Sequence, residues 1–351
     1  MNRCTSFICL LVSWSVAIAQ TPATDPHWRL VFDEPFDSID PAVWKVAHHF
    51  DHYGEPQVYT GRESNVSAKD GELVLRVSKE RYRYKELSAG ESHKRVYDYT
   101  SGWVETREDY YIRYGYLESR IRLPHGRGFW PAFWTFVGDH PDRHNAAEID
   151  IFEMLGNQPP TVMGTNLHIG YCNCGENDCN CEYLNDRMCP EVNPDILCHQ
   201  LDVKIPDYTA GYHTYAVEWS PSKIIWYVNG NMVRNSANPG IIDPVRIILN
   251  LAITPWTMPD RTTPFPSTMH VDYVKLYRLE FDTTRIETCQ YDFSQSVATV
   301  KKAIFIGGDS CTNLIPPFTD VTLRATEGIE ISGDFQVPLG AQLYMDVNKE
   351  E

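Results

Sequence analysis

Long apolar runs are scarce in this chain of 351 residues. The stretch Phe7 to Val16 at the N-terminus is too short to span a bilayer, which argues against a membrane-crossing helix. Positive charge is also in short supply. Against 47 Asp and Glu stand 31 Lys and Arg, giving a formal net charge of −16. That balance argues against nucleic acid or an anionic membrane as partner, and more weakly against a strongly anionic substrate. Amphipathic helix periodicity is missing, as is any repeat of fixed period. Hydrophobic residues are not lacking. At 42% hydrophobic and 12% aromatic, the chain can bury a sizeable core and is not disordered. Its length fits one large domain, or a large one with a small one.

Arg3, the run Phe7 to Val16 and the small-x-small stretch Ala17-Ile18-Ala19 read as a signal peptide, residues 1–19. Export to periplasm, cell surface or medium is the expectation. Ten cysteines fit an oxidising destination. Cys4 and Cys9 leave with the signal, and an even mature count reads as disulfides. Cys172, Cys174, Cys179, Cys181, Cys189 and Cys198 fall in one insert, residues 172–198. It reads as stapled by disulfides or as a zinc site with His168 and His199 nearby. Cys289 and Cys311 are expected to pair separately.

The texture is β. Leu73–Val77, Tyr116–Leu123, Tyr215–Trp219 and Ile247–Leu251 read as strands. Ile224–Val228 runs through Asn229-Gly230 into Met232-Val233, a hairpin with the favoured turn dipeptide. Many short strands with turns between them predict an antiparallel sandwich or barrel. Met269 to Tyr277 reads as the closing strand of a domain over 20–284. A β-rich module over 285–351 follows, with a sugar-binding, secretory or spacer role, of which the spacer is the plainest.

Glu148-Ile149-Asp150-Ile151-Phe152-Glu153 has a strand's composition but three carboxylates. In strict alternation Glu148 and Asp150 share one face, and Glu153 points into the apolar layer with Ile149 and Ile151. A β-bulge between Asp150 and Glu153 would reset the alternation and put all three acids on one face. Two such carboxylates suit a retaining glycosidase, one ionised as nucleophile and one protonated as acid, with an intervening Asp coupling their titrations. The plain alternative is a surface strand with acids facing water. Upstream, Trp130 and Trp134 in FWPAFW would serve a core. Beside an acidic cleft, they would equally offer a sugar ring a flat apolar platform. Trp103 and Trp256 are weaker candidates of that kind.

EIDIFE resembles the E-x-D-x-x-E signature of glycoside hydrolase family 16. GRGFWPAFW, YTSGWVET, PQVYTGRESNV followed by DGELVLRV, HTYAVEW, YVNG, ILNLA and MHVDYVKLY resemble its laminarinase-like members, in order, over roughly residues 28 to 280. The resemblance implies an all-β, antiparallel β-jelly-roll sandwich with a cleft on its concave face, and retaining hydrolysis of β-glycosidic bonds. It implies Glu148 as nucleophile, Asp150 as assisting acid and Glu153 as general acid/base, with Trp130 and Trp134 on the glycone side. His168, Asn65 and Trp256 match cleft positions. For His168 a satisfied buried histidine is an equal reading. Catalysis needs no cofactor. A structural calcium is implied at Glu34, the Gly71 carbonyl and Asp272, oxygen donors of the type calcium takes, although an acid in FDEPFD is as readily a solvated one. There are departures. Trp103 stands where an arginine is common, the cysteine insert is extra, and Ile253-Thr254-Pro255-Trp256 replaces a Gly-rich stretch.

The expected protein is thus an exported endo-β-glucanase, most simply on β-1,3-glucan, with a polysaccharide as its partner and a monomeric state. Mixed-linkage glucan, a galactan or transglycosylation are alternatives within the same chemistry. A non-catalytic sugar-binding protein is the alternative of another class.

Overall fold

A computed structural model describes residues 22, 27–48, 54–88, 91–137, 145–175, 178–183, 201–280, 284–293 and 299–347. The signal-like segment 1–19 lies outside the described residues, as do Cys189, Cys198 and His199. For 170–175 and 178–183 only the backbone is described, so the chemistry of the insert cysteines also lies outside. No helix among the described residues is long and apolar enough to cross a membrane.

Two stacked, almost wholly antiparallel sheets carry the described strands between Trp28 and Leu279. One sheet runs Asn231–Ala237, Lys223–Val228, Tyr212–Trp219, Gly115–Arg122, Ser267–Leu279, Glu72–Ser88, Glu91–Ser101, Gln57–Tyr59. The other runs Asp178–Tyr183, Val162–Gly175, Asn145–Glu153, Phe129–Val137, Val245–Ile253, Trp103–Thr106, Trp44–Val46. This is the antiparallel sandwich that the strand pattern predicts, in the jelly-roll form that the resemblance implies. The Asn229-Gly230 turn has φ of 50° and 75°, the left-handed pair that a tight hairpin requires.

Alternation decides the layers. In Val245–Ile253, the residues Val245, Ile247, Leu249, Leu251 and Ile253 enter the core between the sheets. Arg246, Ile248, Asn250 and Ala252 therefore take the opposite face. In Phe129–Val137, Phe129, Phe133 and Val137 join the core, while Trp130, Trp134 and Phe136 stand half-buried on that same opposite face. The second sheet thus has one apolar face and one face of indoles, amides and charges. The latter is the face on which the resemblance places the cleft, and it is called the cleft face below.

Residues 285–347 build a different object. Arg285–Thr288, Thr299–Ile306, Asp320–Ile331 and Gln342–Val347 form a wholly parallel sheet, and Thr312–Leu314 pairs in parallel with Asp334–Gln336. Val300 lies beside Arg324 and Val321 beside Leu343, so the chain winds back on itself after 24 and then 22 residues. Phe293, Ile304, Ile306, Ile315, Val321 and Leu323 fill a core of its own. Cys289 and Cys311 are disulfide-bonded, as the sequence predicted. Side chains of this module meet the sandwich. Arg324 pairs with Glu218, Ser222 donates to Asp346, and Lys223 Nζ lies 4.0 Å from Asp346 Oδ2. The Arg324 guanidinium also sits 5.6 Å from the Trp28 ring.

Candidate active site

The strand Asn145–Glu153 answers the question its three acids raise. Its register against both neighbours slips after Asp150. Ile149 points into the core, and then Ile151 and Phe152 both do. Two successive core residues are the mark of a bulge, and they put Glu153 back on the face of Glu148 and Asp150. Phe152 anchors the bulge, its ring 4.6 Å from that of Tyr215 in the facing sheet. Trp226, fully buried, donates from Nε1 to the Asp150 carbonyl at 2.8 Å. A bulge interrupts the ladder, so a bond from the other sheet satisfies a carbonyl that the ladder leaves.

Around the acids, the neighbouring strands supply contacts at predictable register. His168 lies opposite Glu148, and its Nε2 is 3.4 Å from Asp150 Oδ2 and 3.8 Å from Glu148 Oε1. Asn166 Nδ2 lies 2.8 Å from the same nitrogen. Trp130 donates from Nε1 to Glu153 Oε1 at 2.9 Å, so this indole is both platform and hydrogen-bond donor. Trp256 is 73% exposed with its ring 5.1 Å from that of Trp130. Trp134 donates to Asn250 Oδ1 at 2.8 Å, and Asn250 donates to the Tyr59 hydroxyl at 3.1 Å. Trp103 meets Trp134 edge-on at 5.4 Å. His168, Trp130, Trp134, Trp103 and Trp256 thus converge on the three acids or on one another.

The electrostatics follow from crowding. Burial, then the Asp150 charge, raises the Glu153 carboxyl to about 8, against the opposing pull of His168 and the Trp130 N–H. Burial and the neighbouring carboxylates Asp150 and Glu153 also hold Glu148 well above the ordinary range. The His168 imidazole is pulled down by burial, but Asp150, Glu148 and Glu153 outweigh this and push it up to about 10. Like charges this close cannot all ionise together, so the cluster shares protons. The ligand atoms of Glu148, Asp150 and His168 lie within 4.8 Å of one another.

The family model for glycosyl hydrolases family 16 matches residues 54–275. The chain belongs to glycosyl hydrolase family 16. This family 16 glycoside hydrolase is 29% identical to a beta-glucanase of Rhodothermus marinus, over 79% of this chain and 95% of the relative. It is 30% identical to glucan endo-1,3-beta-glucosidase A1 of Niallia circulans, over 68% of this chain but only 34% of that longer relative. The laminarinase catalytic domain from Thermotoga maritima MSB8 superposes with a TM-score of 0.53 at 27% identity, covering 72% of this chain and 98% of that one.

One sequence expectation does not hold in the family 16 structure. Asn65 is not at the cleft. It is 1% exposed, and its amide is used up by Thr60, Arg62, Thr100 and the Arg76 carbonyl. Its part is structural, and Gly102 packs against it so closely that a Cβ there would lie 2.5 Å from the Asn65 carbonyl. The two side chains at which the resemblance implies calcium have protein partners. Both Glu34 oxygens accept protein hydrogen bonds, from Phe36 N and Trp44 Nε1 at 2.8 Å, and Asp272 is ion-paired to Arg120 at 2.6 Å.

Sequence reading missed Trp226 and Arg234. Arg234, 4% exposed, stacks over the Trp226 ring at 4.4 Å and donates to Thr165 O and Oγ1 at 2.9 Å. Burial pulls this guanidinium down to about 10, against the field of Asp150. Both come from the opposite sheet, and their local sequence, KIIWYVNGNMVRN, reads only as a hairpin.

Proposed function

We propose that the protein is an exported endo-β-1,3-glucanase that acts by double displacement with retention. The bulge that brings Glu148, Asp150 and Glu153 to one face, between Trp130 and His168, carries this reading. The relatives named for β-1,3-glucan and laminarin support the substrate. The signal-like N-terminus and the Cys289–Cys311 disulfide support export.

In the mechanism, Glu153 starts protonated, which its raised pKa of about 8 secures at neutral pH. It protonates the leaving oxygen while Glu148 attacks the anomeric carbon, forming a glycosyl-enzyme ester. Glu153, now a carboxylate, removes a proton from water. That water attacks the anomeric carbon, and Glu148 leaves as carboxylate. Glu148 must be ionised for the first step. With Glu153 holding its proton, one of the repelling charges is gone, and the His168 cation favours the remaining carboxylates. Asp150, between the two, passes this coupling along the strand. Trp130 orients the acid, and Trp130, Trp134 and Trp256 offer flat apolar faces to sugar rings.

The test is a product assay on laminarin, barley mixed-linkage glucan, agarose and carrageenan, with Glu148→Gln as control. Oligosaccharides from laminarin, absent with the variant, are expected. Full activity of Glu148→Gln on any of the polysaccharides would sink the mechanism. Release from a galactan alone would move the substrate and leave the chemistry, a second reading that Trp103 favours by standing where an arginine is common.

A further inference from the structure

On the cleft face, beyond Trp134, a second polar cluster meets the aromatic floor. Register runs Glu148, Phe136, Arg246 across three strands, and Asp150, Trp134, Ile248, Glu105, Lys45 across five. Ile247, Val104 and Trp44 enter the core, so their chain neighbours Arg246, Trp103, Glu105 and Lys45 take the face of the acids. Glu105 is 6% exposed. It accepts from Lys45 Nζ at 2.7 Å and Trp103 Nε1 at 3.1 Å, and Arg246 Nε lies at 3.8 Å. The Arg246 guanidinium is 5.3 Å from the Phe136 ring. Burial pushes the Glu105 carboxyl up. Arg246, Lys45 and the Trp103 N–H outweigh burial and hold it below the ordinary range.

Desolvating an ionised carboxylate and a guanidinium on a face that could have been apolar is costly. The set has what a sugar ring needs: indole faces for its C–H side, a carboxylate that accepts from hydroxyls and a guanidinium that donates to them. Strands lie ~4.8 Å apart, so Arg246 is roughly 10 Å and Glu105 roughly 14 Å from the acids. A sugar unit covers about one strand spacing, which puts the cluster two to three units from the reacting bond.

We propose that Glu105, Arg246 and Trp103 form a specificity subsite that binds neutral hydroxyls of the sugar two to three units from the cleaved bond, on the Trp134 side, which the resemblance to family 16 implies is the glycone side. This rests on the glucanase reading above. The test uses aryl β-glycosides bearing one to four β-1,3-linked glucoses, whose aryl leaving group fixes the bond cleaved. Glu105→Gln and Arg246→Met are expected to match wild type on the shortest. On the longest they should lose about tenfold in kcat/KM, chiefly through KM, the size of one lost charged hydrogen bond. Lys45→Met, at a half-exposed position, keeps the test open should the other two fail to fold, and it should show the same length dependence more weakly. Equal losses at every length, or none at any, would overturn the subsite while the glucanase reading stands. Wild type inactive on all four would overturn the glucanase reading and the subsite with it.

Discussion

Two of the buried charged clusters among the described residues, one on each sheet of the sandwich, are built on opposite accounts. On the cleft face three carboxylates share one histidine. On the outer sheet Glu218 and Asp346 meet Arg324 and Lys223, two charges of each sign, with the Tyr227 hydroxyl 3.1 Å from Glu218 Oε2. In the first, negative charge is left in excess and proton affinities rise. In the second the charges balance and serve to dock the C-terminal module. Uncompensated charge is poor structure and good chemistry; compensated charge is the reverse.

The largest effect expected is on rate. Glu148→Gln should lower kcat at least about 10³-fold while the melting temperature holds or rises, because a crowded carboxylate is gone. Kinetics and calorimetry on one preparation would show the split. On the outer sheet the split should invert. Arg324→Met leaves Glu218 and Asp346 buried without their main cation, which costs about 3–5 kcal/mol, read in denaturant unfolding, with kcat unchanged. Adding Glu218→Leu should recover much of that loss. A rate loss with Arg324→Met would break the comparison.

Acid dependence sharpens it further. In the proposed mechanism Glu153 acts as a protonated acid, so kcat/KM should fall as pH rises through about 8. The same shift has a stability sign. Glu153 binds its proton more tightly folded than unfolded, so its ionisation destabilises the fold increasingly from about pH 4.5 up to about 8 and fully above. Glu153→Gln should therefore gain stability over wild type as pH rises through that window, measured by melting temperature. The smallest effect belongs to His168→Gln. Without the cation that favours ionised Glu148, the acidic limb of the pH–rate profile should move to higher pH. An unmoved limb would remove His168 from the electrostatics.

Much of this was legible in the chain itself. Hydrophobic alternation and Asn229-Gly230 located the strands, and EIDIFE with FWPAFW marked the candidate site, because strand period and turn chemistry are local properties. Even the bulge could be inferred, since only it spares Glu153 from the core. Asn65 went wrong because an amide's partners are not local: Thr100 and the Arg76 carbonyl reach it only in the folded sheet. The parallel winding of the module escaped because its turns differ in length, 24 and 22 residues, and leave no period to see.

The sequence by itself determined the all-β class, the family and the three acids, for these depend on residue type and spacing along one strand. Tertiary structure alone decided that Trp226 caps the bulge, that Arg234 lies behind Asp150, that Glu105 and Arg246 extend the cleft face, and that Arg324 meets Glu218. These pairs lie far apart in the chain, and a long-range contact is set by how the sheets stack, which no local pattern encodes.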